Sequence, residues 1–500
     1  MLSTPSLKFN QYFSLGALRL AKMVSAFCIL LVYGRTAGAG SLMDGWVYST
    51  SLIGVISLLT WGSINEVARA YIMGVLSEDS KDIRASRIAG ILLCMTLLSF
   101  ALVVLFMSFL PKNISLFIPE RMLQSAPETA HIFSLLLPYL FFAQVSVFLT
   151  CVLNCYEKIY FPEVFDIIGN LLVAGVVFYL FERYALLAFV IGLYAGTIFS
   201  AICKLLLFTI SRLGRLTRSS FPSGSRDVGG LIRFAAPLFF SYGIGQLYVL
   251  VERFFSAMLG ERVVSYIHYS SYLKNAFQGL LVGLIFTLVM PHLSKIFREL
   301  GDVAFRKEVL SAFRTTNFAL IVIVPIIIVG SPIYLSLILG EVVESWSNLV
   351  YLTRFYALSL LPVVIFAFVG VVMISSLKTR EYAFIGVLSQ LISATLIYVG
   401  IDYLGVYIFP SALVIGSALS VVVISTRVPE VKHFFFDATK HIALSLGAGL
   451  VALATCLFLE LFIDKSNLVA VWVASTTLIF FWLVMVYVWF LIDRSERPQS

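Results

Sequence analysis

Charge is scarce in this chain: Asp, Glu, Lys and Arg together make up 12% of 500 residues, against about 25% in an ordinary soluble domain. No polar stretch is long enough to build a core of its own, so no soluble domain is visible in the sequence. The six cysteines (Cys28, Cys94, Cys151, Cys155, Cys203 and Cys456) lie in or beside apolar runs. None has the spacing of a zinc site or a disulfide framework, so they read as small core residues. The five histidines are scattered. There is no Gly-x-x-x-x-Gly-Lys loop for nucleotide phosphates, no His-Glu-x-x-His zinc helix and no Gly-x-Ser-x-Gly elbow. These absences argue against an enzyme and against a resident metal or cofactor. Without a nucleotide site in the chain, any transport has to run on a gradient, a membrane potential or downhill flow.

What is present is apolar: 60% of the residues are hydrophobic and the mean hydropathy is +0.98. A single soluble core cannot hide that much apolar surface. The runs repeat at lengths near the ~20 residues that a bilayer requires, which predicts an all-α polytopic membrane protein of about fourteen spans. The expected spans are 13–33, 45–72, 86–110, 131–155, 164–181, 186–210, 231–258, 265–290, 313–338, 348–376, 382–401, 405–426, 439–462 and 467–491. With no small-residue cleavage site after the first run, it reads as a span rather than a signal peptide.

The formal net charge is +8, which in a soluble protein would suggest nucleic acid. Here the basic residues sit in short loops, the pattern that sets topology, so no nucleic-acid partner is expected. With the N-terminus in the cytoplasm, about 25 of the 35 Lys and Arg fall on the cytoplasmic side, Lys204 among them, and about 6 on the other. That bias puts both termini inside. Residues 211–230, rich in Ser, Gly and Arg, read as a cytoplasmic linker. The expected organisation is an N-lobe over 1–210 (spans 1–6), the linker 211–230, a C-lobe over 231–432 (spans 7–12) and a two-helix extension over 433–500. A weak repeat supports two lobes: Asp44-Gly-Trp-Val-Tyr-Ser-Thr-Ser-Leu resembles Val264-Ser-Tyr-Ile-His-Tyr-Ser-Ser-Tyr, and Leu136-Leu-Pro-Tyr resembles Leu360-Leu-Pro-Val. Six spans separate the copies, so the repeats are parallel, with a substrate site expected between them.

Charges inside apolar spans are costly and mark function by default. Arg19 and Lys22 lie in the inner half of the first span, Arg253 in the seventh beside Glu252, Lys274 in the eighth and Arg354 near the outer end of the tenth. Glu66 and Arg69, one turn apart, read as a local ion pair. Arg354 either snorkels to the outer surface or faces inward. Asp44 and Asp166, each at the start of a span, read either as helix caps or as functional acids. The resulting interior is mainly cationic and suits an anion such as the diphosphate of a polyprenyl carrier. It does not suit cationic drugs, which would call for paired intramembrane carboxylates; none is apparent in the sequence.

Three segments resemble the MurJ/MviN family of lipid II flippases, part of a superfamily with polysaccharide flippases and MATE drug exporters. They are Gly38-Ala-Gly-Ser-Leu-Met-Asp44; Leu137-Pro-Tyr-Leu followed by Leu153, Asn154, Lys158, Pro162 and Asn170; and Val264-Ser-Tyr-Ile-His-Tyr running through Gly279 and Gly283 to Met290-Pro-His-Leu-Ser-Lys295. The resemblance implies a two-lobe transporter in a bacterial inner membrane. Its substrate would be a lipid-linked glycan with a diphosphate, and membrane lipids and cell-wall synthesis proteins would be its other partners. The last two spans would hold the lipid tail. By the same resemblance Asp44 and Arg35 would serve gating or coupling, and Glu66 and Arg69, as charges inside a span, are candidates for the same role. Arg19, Lys22, Arg253 and Lys274, with Tyr272 and Asn275, would line the substrate path. The chain departs from the family at its arginines: Met23 and Ile29 stand at the first-span positions, Ile56 and Ser57 near the second-span position, and Tyr272 and Asn275 replace an arginine and a glutamate in the eighth. A flippase for another lipid-linked polysaccharide and a MATE-like antiporter remain as alternatives, as does a scaffold without transport.

Overall fold

The computed structural model describes residues 9–78, 81–215, 217, 220–340 and 346–459, together with 473, 475–479 and 482. Among these residues the secondary structure is entirely helical. Each expected span up to 439–462 falls on a helix or helix pair; the fourteenth, 467–491, lies almost wholly outside the described residues. Among the described residues nine helical stretches are long and apolar enough to cross a bilayer, or ten if a bent pair counts as one span. Many of their apolar side chains face outward, Phe178, Leu205, Tyr398 and Val422 among them. That outer surface fits hydrocarbon surroundings, where a helix satisfies its own backbone polar groups.

The chain forms two compact units, Met1–Arg262 and Val263–Ser500. The first holds α1 (Phe9–Ala37), α2 (Ser41–Ser57), α3 (Ser63–Glu78), α4 (Lys81–Phe109), α5 (Glu120–Ser125), α6 (Glu128–Leu136), α7 (Tyr139–Cys155), α8 (Tyr160–Tyr184), α9 (Leu186–Ile210) and α10 (Ser220–Leu259). A five-residue π-helical turn, Leu58–Gly62, joins α2 to α3 without breaking the rod. α6 and α7 meet at a 40° bend at Pro138, where the proline removes a helical hydrogen bond.

The 211–230 segment is not a free linker throughout. α10 starts within it, and its first turns pack on α4 so closely that a Cβ on Gly90 would sit 2.0 Å from the Ser220 carbonyl oxygen. Arg87 grips Asp227 through two hydrogen bonds, of 2.9 and 2.6 Å. These contacts group the seventh span with the first unit, so the division falls after Arg262.

The second unit holds α11 (Val263–Leu284), α12 (Met290–Leu339), α13 (Trp346–Ser375), α14 (Thr379–Leu404), α15 (Ile408–Arg427) and α16 (Pro429–Leu459). α12 contains a kink at Gly301, whose φ of 73° suits glycine. Its core is apolar and aromatic, with Phe313, Phe368 and Phe434 rings 4.9–5.5 Å apart. Lys378 is ion-paired with Glu430 across the α13–α14 turn and the start of α16.

Candidate functional site

The site in the first unit begins with glycine. Gly169 on α8 and Gly196 on α9 let the two backbones touch: a Cβ on Gly196 would stand 2.4 Å from the Gly169 carbonyl oxygen. Small residues at such crossings are how membrane helices approach. The crossing puts Asp166, one turn before Gly169, beside Ser200 and Lys204, one and two turns after Gly196. Asp166 Oδ1 accepts hydrogen bonds from Ser200 Oγ at 2.7 Å and Lys204 Nζ at 2.6 Å. Lys204 also donates to Ser146 Oγ on α7 at 2.9 Å, and its side chain is only 2% exposed.

α1 closes the cluster. Lys22 Nζ donates to Asp166 Oδ2 at 2.7 Å and to Glu163 Oε2 at 3.0 Å. One turn on, Ser25 accepts from Asn170 Nδ2 at 3.0 Å. Lys22, Asp166 and Lys204 therefore line one cavity of about 340 Å³, with Tyr139, Ser146, Thr150, Asn170, Thr197 and Ser200 supplying most of the other polar groups. Two ammonium groups face two carboxylates, so the cluster is formally neutral. In a low-dielectric setting such balance is what makes buried charge tolerable.

This geometry bears on four of the sequence readings, two of them left open between alternatives. Lys204, counted with the cytoplasmic charges, is buried within α9. Asp166 does not cap α8, which starts at Tyr160; it bridges two lysines. A carboxylate pair, Glu163 and Asp166, does lie inside a span, but two lysines neutralise it, so it offers no net negative site for a cationic drug. Arg354 does not snorkel: it is 3% exposed, donates from Nε to the Ile328 carbonyl oxygen at 3.2 Å and lies 5.8 Å from the Tyr351 ring centroid.

The other expected site residues are dispersed. Arg19 is half-buried on α1. On α10, the Nε and Nη1 atoms of Arg253 are buried and donate to no acceptor among the described residues. In the second unit Lys274 is buried and donates to Asn275 Oδ1 at 3.0 Å, while Asn275 donates to Ser271 Oγ at 3.4 Å. Tyr272 is half-buried, with its ring centroid 6.4 Å from that of His268. Asp44 is 2% exposed and accepts from the backbone N–H of Arg262, in the turn after α10. Arg35 and Arg69 are exposed. The Glu66 side chain lies outside the described residues, so the Glu66–Arg69 pair does too.

A family model described as lipid II flippase MurJ matches residues 34–497. The chain belongs to the MurJ lipid II flippase family. Among solved structures it is similar to one titled as lipid II flippase MurJ in an inward closed conformation, with a TM-score of 0.72 at 16% identity, covering 96% of this chain and all of that one. It is also similar to an inward-facing multidrug resistance MATE family transporter, with a TM-score of 0.57 at 13% identity over 86% of this chain and 98% of that one. A eukaryotic MATE transporter gives 0.55 at 14% identity, over 93% and 97% of the two chains. At these identities the likenesses concern the fold. A search of curated proteins finds no match.

Proposed function

We propose that this protein, a member of a transporter family rather than an enzyme, is a flippase for lipid II. It carries this polyprenyl-diphosphate-linked glycan from the cytoplasmic to the outer leaflet of a bacterial inner membrane by alternating access. Both termini face the cytoplasm in this reading, as the bias of basic residues supports. The observation that carries the substrate class is the family match over residues 34–497. Arg253 is the first candidate for the diphosphate contact, because a guanidinium whose Nε and Nη1 are buried with no acceptor among the described residues is well suited to phosphate oxygens. Arg19, Lys22 and Lys274, with Tyr272 and Asn275, are the further candidates. Asp44 and Arg35 serve gating, and cell-wall synthesis proteins are the expected protein partners. A flippase for another lipid-linked polysaccharide is the second reading, favoured by Tyr272 and Asn275 standing where the family has charged residues.

Native mass spectrometry of purified protein with lipid II tests the reading. Wild type is expected to bind, and Arg253→Ala and Lys274→Ala to bind about tenfold more weakly, the scale of one charge-assisted contact. Absence of any diphosphate-lipid binding would remove the flippase reading; equal binding by both variants would remove these contacts.

A further inference from the structure

We propose that Glu163 and Asp166 hold Lys22 in reserve: they compete, from within the protein, with an anionic headgroup for the Lys22 ammonium, so that only a multiply charged group such as a diphosphate draws it out. The inference rests on the reading of Lys22 as a diphosphate contact and adds how that contact is regulated.

The two lysines of the cluster are not equivalent. Lys204 is enclosed, with its ammonium fixed between Asp166 and Ser146 and its side chain 2% exposed. Lys22 stands at the cavity wall with its side chain 39% exposed. An ammonium has three donors; carboxylates take two of those on Lys22, and the third remains for the cavity.

Release of Lys22 is asymmetric in its consequences. Asp166 keeps Lys204 and Ser200 on its other oxygen, so it is not left unpaired. Glu163, whose side chain is 18% exposed, can turn to the solvent it already reaches. Ser25 and Asn170 still tie α1 to α8 one turn away. A phospholipid headgroup with a single negative charge competes poorly with two carboxylates, whereas a diphosphate brings more charge and more acceptor oxygens to the same ammonium. Glu163 is then a specificity-determining residue. It touches only Lys22 within the cluster, and it sets how much charge a headgroup needs in order to bind.

The test is a double-mutant cycle read by native mass spectrometry on the full-length protein, with undecaprenyl diphosphate and phosphatidylglycerol as probes. Glu163→Gln is expected to tighten undecaprenyl diphosphate binding by about threefold to tenfold and to narrow the preference over phosphatidylglycerol. In a Lys22→Ala background the same change is expected to give a clearly smaller gain, since only the removal of like-charge repulsion remains. An unchanged or weaker affinity in folded Glu163→Gln protein overturns the proposal, as does an equal gain in both backgrounds. If Glu163→Gln does not purify as folded protein, Glu163→Ala provides the same readout. Wild type that binds and loses affinity on Lys22→Ala, but does not gain on Glu163→Gln, refutes the reserve mechanism alone. Wild type that binds no diphosphate lipid refutes the flippase reading with it.

Discussion

Asp166→Ala is the most informative perturbation of the first unit. The carboxylate holds Lys22 and Lys204 at 2.7 and 2.6 Å, and its removal leaves Lys204, 2% exposed, with only the Ser146 hydroxyl. Stripping one partner from a buried pair costs ~3–5 kcal/mol, chiefly because the remaining charge is uncompensated. Each kcal/mol moves the melting temperature by ~2–4 °C for 150–250 residues, so a loss of roughly 6–20 °C is expected for a unit of this size. The second half of the experiment carries the reasoning. Lys204→Met, added to Asp166→Ala, removes the stranded ammonium and should recover about half of the loss or more. The assay is thermal unfolding of detergent-purified protein followed by tryptophan fluorescence. Lys204→Met alone should cost less than Asp166→Ala alone, because Asp166 keeps Lys22 and Ser200. If the two changes instead add, or if Asp166→Ala melts like wild type, the cluster does not stabilise the unit as argued.

Other perturbations probe the contacts that place the site. Gly90→Ala should lower yield and melting temperature, because its Cβ would meet the Ser220 carbonyl oxygen at 2.0 Å, whereas Gly175→Ala, with nothing within 4 Å, should be neutral. Arg87→Ala strands the Asp227 carboxylate, 7% exposed, and should loosen the start of α10; faster limited proteolysis between 211 and 220 is the readout, and an unchanged cleavage rate would count against that tie. Asp44→Ala removes the acceptor for the Arg262 N–H. Since a hydrogen bond to a charged group contributes ~1.5–3 kcal/mol, amide exchange at Arg262 should speed up by about tenfold or more, and unchanged protection there would show that the turn does not depend on Asp44.

The spans were legible because the signal that identifies them, apolar length, is the same property that a bilayer selects. Lys22 was legible by the same logic, as a cation too deep to be incidental. Asp166 stayed open between a cap and a functional acid for a local reason. In the sequence it opens an apolar run, where an acid ordinarily caps a helix; α8 begins at Tyr160, which puts Asp166 in its second turn. Lys204 sits six residues before the end of α9 and was counted with the cytoplasmic charges. A partial signal was available: Glu163 and Asp166 share a helix face at i, i+3, and Gly169 and Gly196 mark a close crossing. No spacing rule, however, relates residue 166 to residue 204. That pairing depends on which glycines meet, a three-dimensional fact. The Ser- and Gly-rich appearance of 211–230 likewise gives no sign that α10 starts within it, since the packing of α10 on α4 through Gly90 and Gly224 leaves no trace in composition.

A count of cations inside spans therefore overstates the positive site. A guanidinium or ammonium in a low-dielectric interior persists only with something to balance or bind it, and each cation here differs in what that partner is. Lys204 is used within the protein, on Asp166 and Ser146. Arg354 is used on a carbonyl oxygen and the Tyr351 ring. Lys22 is used on two carboxylates but lies at a cavity wall, which makes its donors conditional. Arg253 has buried donors with no acceptor among the described residues. Leaving such donors unsatisfied carries a desolvation cost of ~1–3 kcal/mol or more for a charged group, and an anionic ligand would relieve it. On this argument a diphosphate is expected to meet Arg253 as its first contact in this unit and to win Lys22 from Glu163 and Asp166 only afterwards. Arg253→Ala should accordingly weaken undecaprenyl diphosphate binding more than Lys22→Ala does, and the reverse order would place the first contact at α1.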